Sequence, residues 1–189
     1  MTLRTLTSLA CSVTFVLAFG ACASEPAAPP TPADTSITAP SVLLRLAAIP
    51  EVFELAANDA ERLEFTAPSL PGPSTMTITL GDPEPGGLNI LEHLEQQLDR
   101  FSELPEGVSF GWKQLSAPLG LTFLVRGRYQ EGGREIEEFR AILVHPAGNR
   151  LLTMSYRYPA SEDTVERGLQ LMELLGEMEP LEEEQEQAP

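Results

Sequence analysis

Cysteine is nearly missing from this chain of 189 residues: there are two, Cys11 and Cys22. The body can therefore hold no disulfide and no thiolate metal site. Positive charge is scarce, with 12 Lys and Arg against 28 Asp and Glu, a net charge of −16. Nucleic-acid binding needs clustered basic residues on phosphate, so that partner class is excluded. Electrostatic docking on anionic lipid heads is excluded for the same reason. Histidine is limited to His93 and His145. His93 is expected to face solvent, and His145 to end a strand; nothing brings them together as metal ligands. No HExxH, P-loop or GxSxG pattern occurs. Ser161 has no base to activate it and reads as a helix cap. Neighbouring carboxylates such as Glu137 and Glu138 are uninformative at this acid content: a buried pair could act as acid and base, but they read as solvated strand ends. The expectation is a protein without enzymatic activity, cofactor or metal.

Long apolar runs are also lacking. After Arg4, residues from Leu9 to Ala21 are nearly all apolar or small. As a helix they would span only ~20 Å of a ~30 Å hydrocarbon layer. A charged start, a short apolar run and small residues before a break predict a secretory signal over 1–21. The break, Phe19-Gly20-Ala21-Cys22, resembles the lipobox of bacterial lipoproteins, departing from it at Phe19, where the family most often has Leu. The resemblance implies cleavage before Cys22 and a diacylglyceryl thioether on its sulfur. The alternative is an ordinary cleaved signal with an incidental cysteine. Cys11 has too little apolar chain ahead of it. Two or more acyl chains give stable attachment without a spanning helix. Ala23, by resemblance to enterobacterial sorting rules, favours the outer membrane. The expected partners are the lipid bilayer, through Cys22, and an envelope protein; the body would face the periplasm or the surface.

Residues 22–40 then read as the anchor plus a tether. From Glu25 to Pro40, five of 16 residues are proline, and little could be buried. From Glu177 onward there are six glutamates and no basic residue, so that stretch reads as solvated, with 182–189 as an acidic tail. The body, 41–181, is long enough for one domain with a single core.

Inside it, Arg62 to Ala67 and Thr75 to Leu80 alternate as a hairpin pair. Leu88, Leu91, Leu94, Leu98 and Phe101 follow helical spacing. Period-two strands follow over Val108 to Lys113, Leu121 to Tyr129, Glu135 to His145 and Leu151 to Tyr158, joined by short turns. A last helix runs from Glu162 to Leu175, capped by Ser161, with Val165, Leu169, Met172 and Leu175 as its buried stripe. Residues 42–57, divided by Pro50, read as a short strand or helix. This order predicts an α+β class: an antiparallel β-sheet meander packed with two main amphipathic helices.

The strand reaching FTAP at Phe65 to Pro68, the helix NILEHLEQQLDRF and the run from Gly120 to Ala160 before the last helix together resemble the PsbP-like α/β sandwich. That family includes many bacterial lipoproteins. The resemblance implies a non-enzymatic, protein-associating module and transfers no site residue.

Arg126, Arg128, Arg140 and Arg157 lie within the strands, and convergence on one outer face would make an anion or acidic-partner site. The alternative is cross-strand pairing with Glu135, Glu137 and Glu138, favoured in so acidic a body. Trp112 is expected in the core by its strand alternation; exposed together with Phe110, it would instead mark a partner surface. Two function classes follow. One is a membrane-anchored binding or scaffolding lipoprotein of the envelope. The other is a periplasmic small-ligand carrier with an arginine-lined anion site.

Overall fold

The computed structural model describes residues 36–70 and 74–181. The signal segment, Cys22, the tether up to residue 35 and the 182–189 tail lie outside the described residues. In chain order the elements are β1 (Ile37–Ala39), a 3-10 turn (Pro40–Val42), β2 (Leu44–Leu46), β3 (Glu54–Asn58), β4 (Arg62–Thr66) and β5 (Thr75–Leu80). Then come α1 (Ile90–Glu103), β6 (Val108–Ala117), β7 (Gly120–Glu131), β8 (Arg134–Val144), β9 (Leu151–Pro159), α2 (Thr164–Gly176) and β10 (Met178–Pro180). The class is α+β. A seven-stranded antiparallel sheet runs β3-β4-β5-β9-β8-β7-β6, and a small sheet runs β1-β2-β10. The expected meander is β6 to β9, with the β4–β5 hairpin joined to it through β9.

Three segments depart from expectation. Ile37–Ala39, placed in the tether by composition, pairs with β2, and Ala39 is fully buried. Met178, read as part of a solvated stretch, pairs with Leu46 and is also buried. Residues 42–57 contain strands, β2 and β3, with Pro50 in the connection between them. In each case tertiary burial overrides local composition: the apolar side chains are few, but each finds the large sheet beneath it.

Strand register sorts the large sheet into two faces. One carries Leu63, Phe65, Met76, Ile78, Met154 and Tyr156, and packs with the small sheet and with Leu171, Leu174 and Leu175 of α2. The other carries Phe123, Val125, Tyr129 and Ile142, and packs with Leu94 and Phe101 of α1. Asn89 caps α1, accepting a hydrogen bond from the Glu92 amide. Its buried row is Ile90, Leu94, Leu98 and Phe101, while Leu91 points outward.

In α2 the cap is Asp163, which accepts from the amides of Val165 and Glu166, and not Ser161. The buried row is also displaced from the expected one. Arg167, Leu171, Leu174 and Leu175 are buried, and Val165 and Leu169 are exposed. The helix has two apolar rows, and the one in line with buried Met178 faces the core.

Phe101 can sit flat on the sheet because Gly127 lies beneath it. A β-carbon at Gly127 would come within 2.3 Å of the Phe101 ring. Gly127→Ala should therefore destabilise the fold by about 1–3 kcal/mol through overpacking. Urea unfolding should show the lower midpoint, and an unchanged midpoint would contradict the contact.

Candidate functional site

The four strand arginines do not converge. Arg126 and Arg128 share the α2 face with Glu137, while Arg140 and Arg157 share the α1 face with Glu138. Sequence alternation places each arginine correctly on its own strand. What alternation alone leaves open is which faces of different strands coincide, and cross-strand register decides it.

Glu137 and Glu138 are not solvated strand ends. They lie inside β8, with Glu137 fully buried and Glu138 nearly so. Each is the hub of a network. Glu137 Oε1 accepts from Tyr158 Oη and Thr164 Oγ1, both at 3.1 Å, and Oε2 accepts from Arg128 Nη2 at 3.1 Å. Arg126 Nε lies 2.8 Å from Oε1, but off the N–H direction, so it is an ion pair without a hydrogen bond. Glu138 Oε1 accepts from Arg140 Nε and Ser155 Oγ at 2.6 Å each, and Oε2 accepts from Tyr129 Oη at 3.0 Å. Arg157 donates to Tyr129 Oη at 2.8 Å and pairs with Glu131. Arg140 also donates to Gln97 of α1 and stacks over Phe101. Cross-strand pairing thus absorbs most of the guanidinium capacity that an anion site would need.

The tyrosines carry the electrostatic signature. Burial, and then the neighbouring charge of Glu138, push the Tyr129 phenol up to about 12. Burial and Glu137 push Tyr158 up as well, and burial raises Tyr156.

Two surfaces remain open: a polar hollow of about 250 Å³ on the α1 face, lined by Gln97, Arg100, Glu138, Arg140 and Ser155, and an apolar groove on the α2 face. The groove, of about 330 Å³, lies between β6 and α2, floored by Leu124 and Phe139 and walled by Phe110 on one side and Val165 on the other. Gly168 faces Phe139 from α2, and Arg126 and Lys113 also line the groove. A β-bulge between Ser109 and Trp112 shapes its outer wall. Gly111 within it has φ +84°, a conformation that strains any residue with a side chain. The bulge breaks the expected alignment of Val108, Phe110 and Trp112. Phe110 turns to the α2 face, 4.4 Å under the Arg126 guanidinium, while Trp112 packs edge-on to Phe123 on the other face. Trp112 is not a core residue: it is 44 % exposed, beside an equally exposed Phe110.

Val165, Leu169 and Lys113 were not among the expected site residues. Two signals pointed to the groove. The last helix has more apolar positions than one buried stripe needs, and an isolated glycine sits inside the strand pattern of β6.

The histidines are structural. His93 is partly buried and bonds Glu84 at 2.9 Å, contrary to the solvent-facing expectation. His145 is buried, with Nε2 3.0 Å from the Leu43 carbonyl and Nδ1 accepting from the Ala147 amide. Among the described residues no group of His, Cys, Asp or Glu is arranged to hold a metal ion. No helix among them is long and apolar enough to cross a membrane.

Two outcomes test this electrostatic map. Glu137→Ala takes the carboxylate from Arg126, one of two from Arg128 and the acceptor from buried Tyr158, and should cost about 1–3 kcal/mol. Glu135→Ala, at a half-exposed partner of Arg128, should cost under ~1 kcal/mol. Similar losses in urea unfolding would contradict the assignment of Glu137 as hub. The chain has three tyrosines, and all are raised. The folded chain therefore holds phenolic protons that the unfolded chain releases. Stability should be complete below pH ~10 and should fall as pH rises from there towards 12. Absorbance at 295 nm should show tyrosinate appearing later in the folded protein than in urea, and coincident curves would refute the buried networks.

No protein-family model and no curated protein matches the sequence. Solved structures do match. Cyanobacterial PsbP from Synechocystis is 6% identical, with a TM-score of 0.54 over 77% of this chain and 91% of that one. LpqN of Mycobacterium tuberculosis, described as involved in cell envelope biogenesis, is 13% identical, with a TM-score of 0.51 over 71% and 81%. The Ran-binding protein Mog1p of Saccharomyces cerevisiae is 6% identical, with a TM-score of 0.54 over 78% and 95%. The chain spans about half the length of a matching Bacteroides thetaiotaomicron structure, 51% of it. At these identities the likeness is one of fold, and the fold is PsbP-like.

Proposed function

We propose that this protein is a non-enzymatic docking module of the cell envelope, held to the outer membrane by acyl chains on Cys22 and engaging a protein partner on the β6–α2 face. The observation that carries the reading is the groove itself. It is apolar and open, lined by exposed Phe110 and Val165, with exposed Val108 two residues before Phe110 on β6 and exposed Leu169 one turn after Val165 on α2. Contiguous exposed apolar surface of this kind marks interaction sites, whereas apolar residues scattered singly do not. The internal pairing of Arg128, Arg140 and Arg157 weighs against the alternative of a carrier with an arginine-lined anion site. The fold neighbours lend support: one is described as an envelope biogenesis protein and another as Ran-binding.

The test combines anchor and face. A photo-crosslinking residue at Phe110 should capture envelope neighbours in living cells, and the same residue at Leu91, exposed on α1, should not. Cys22→Ala should release the protein from the membrane fraction and abolish those crosslinks. An unchanged membrane fraction and unchanged neighbours in Cys22→Ala would overturn the anchor. Equal capture from Leu91 would overturn the docking face.

A further inference from the structure

On the α2 side the large sheet leaves one apolar strip bare; the open part of the other side, over β5 and β9, carries Thr77, Thr79, Thr153 and Ser155 and is polar. Over β4 and β5 the α2 side is covered by the 3-10 turn and the small sheet. Over β9 and β8 it is covered by α2, whose Gln170 accepts from Tyr156, whose Thr164 donates to Glu137 and whose Gly168 faces Phe139. Beyond α2 the β7–β6 strip forms the groove. Two strands at ~4.8 Å spacing are ~10 Å wide, the diameter of one helix with its side chains.

The walls suit a helix. Along its flank α2 presents Val165 and Leu169, 72 % and 65 % exposed, followed by Met172, which is partly buried against the core. Their i, i+4, i+7 spacing is the row that one helix offers to another. Phe110 stands on the opposite wall. A strand added to β6 fits less well, because the bulge at Gly111 interrupts the ladder.

Charge selects among helices. The ionic side chains lining the groove are Lys113 and Arg126, with no carboxylate among them. This holds in a chain with 28 acidic residues, and Lys113 is its only lysine. Arg126 pairs with Glu137 through Nε at 2.8 Å, and its terminal amino groups make no hydrogen bond among the described residues.

We propose that the strip receives an amphipathic α-helix of the partner protein, laid beside α2. Its apolar row packs on Val165, Leu169 and Phe110, and an acidic side chain meets Lys113 or Arg126. This rests on the docking function above and names the chemistry of the docked segment.

The test uses the full chain and an 18-residue labelled peptide with leucines at i, i+3, i+4 and i+7 and glutamates flanking that row. A second peptide has lysine in place of glutamate, and dodecanoate serves as a small carboxylate amphiphile. The acidic peptide should bind saturably and gain helical circular dichroism. A zero-length carbodiimide crosslink should map to Lys113. Val165→Glu and Leu169→Glu, both at exposed positions that leave folding intact, should each weaken binding at least about tenfold, and Lys113→Glu should shift preference towards the lysine peptide. Equal affinity for the two peptides, binding without helicity, or displacement by dodecanoate would overturn the proposal. If crosslinking at Phe110 succeeds in cells while the acidic peptide fails, the helix is wrong and the docking function stands. If both fail, both fall.

Discussion

A seven-stranded sheet is ~30 Å wide and has two faces to keep from water, and this chain has two helices with which to do it. Most of the architecture follows from that shortage. One helix, α1, serves the face with the smaller apolar cluster, leaning on Phe123, Val125 and Ile142. The other face is too broad for α2 alone. Three segments distant in sequence, β1, β2 and β10, are recruited as a second, three-stranded cover. Their side chains Ala39, Leu44, Leu46 and Met178 are fully buried. Strands this short would not persist in isolation; each is held by the apolar surface beneath it.

Where cover ends, polar chemistry takes over. Glu137 and Glu138 sit side by side in β8 and point to opposite faces, each fully engaged. Isolated, a buried carboxylate would cost several kcal/mol, so each is surrounded by donors from neighbouring strands and a helix. The arrangement also fixes register. A one-residue slip of β8 would send Glu137 to the α1 face and leave both networks without their hub. Thr164 and Gln97 extend the constraint to the helices, since each bonds a strand side chain from α2 or α1.

The sequence carried the periodic part of this fold plainly. The four long strands and both helices follow from apolar spacing, although β8 buries side chains on both faces. Ile37–Ala39 and Met178 were illegible. Their burial depends on partners more than 100 residues away in the case of Met178 and Leu46, and three-residue strands have no period to read. Arginine placement was half legible. Alternation gave each side chain its face, but convergence needed the register of β7 on β8 and of β8 on β9. The groove was legible only in retrospect, as a surplus: Val165 and Leu169 are apolar where α2's buried row, ending at Leu174 and Leu175, does not need them.

The bulge at Gly111 joins two requirements at the sheet's outer edge. A ten-residue edge strand is a hazard, because its unpaired amides and carbonyls can pair with another chain. Both edge strands answer it in the same way: β3 shifts register between Leu55 and Ala57, and β6 between Ser109 and Trp112. In β6 the extra residue has a second consequence. It reverses the side-chain alternation, so Phe110 stays with Val108 on the α2 face, under Arg126, while Trp112 passes to the other. Without it, Phe110 and Trp112 would share one face. No atom lies within 4 Å of where a β-carbon at Gly111 would stand, so the glycine is required by backbone conformation and not by crowding. The device that keeps β6 from adding a strand thereby also parts Trp112 from Phe110, leaving Phe110 on the surface where something other than a strand can rest.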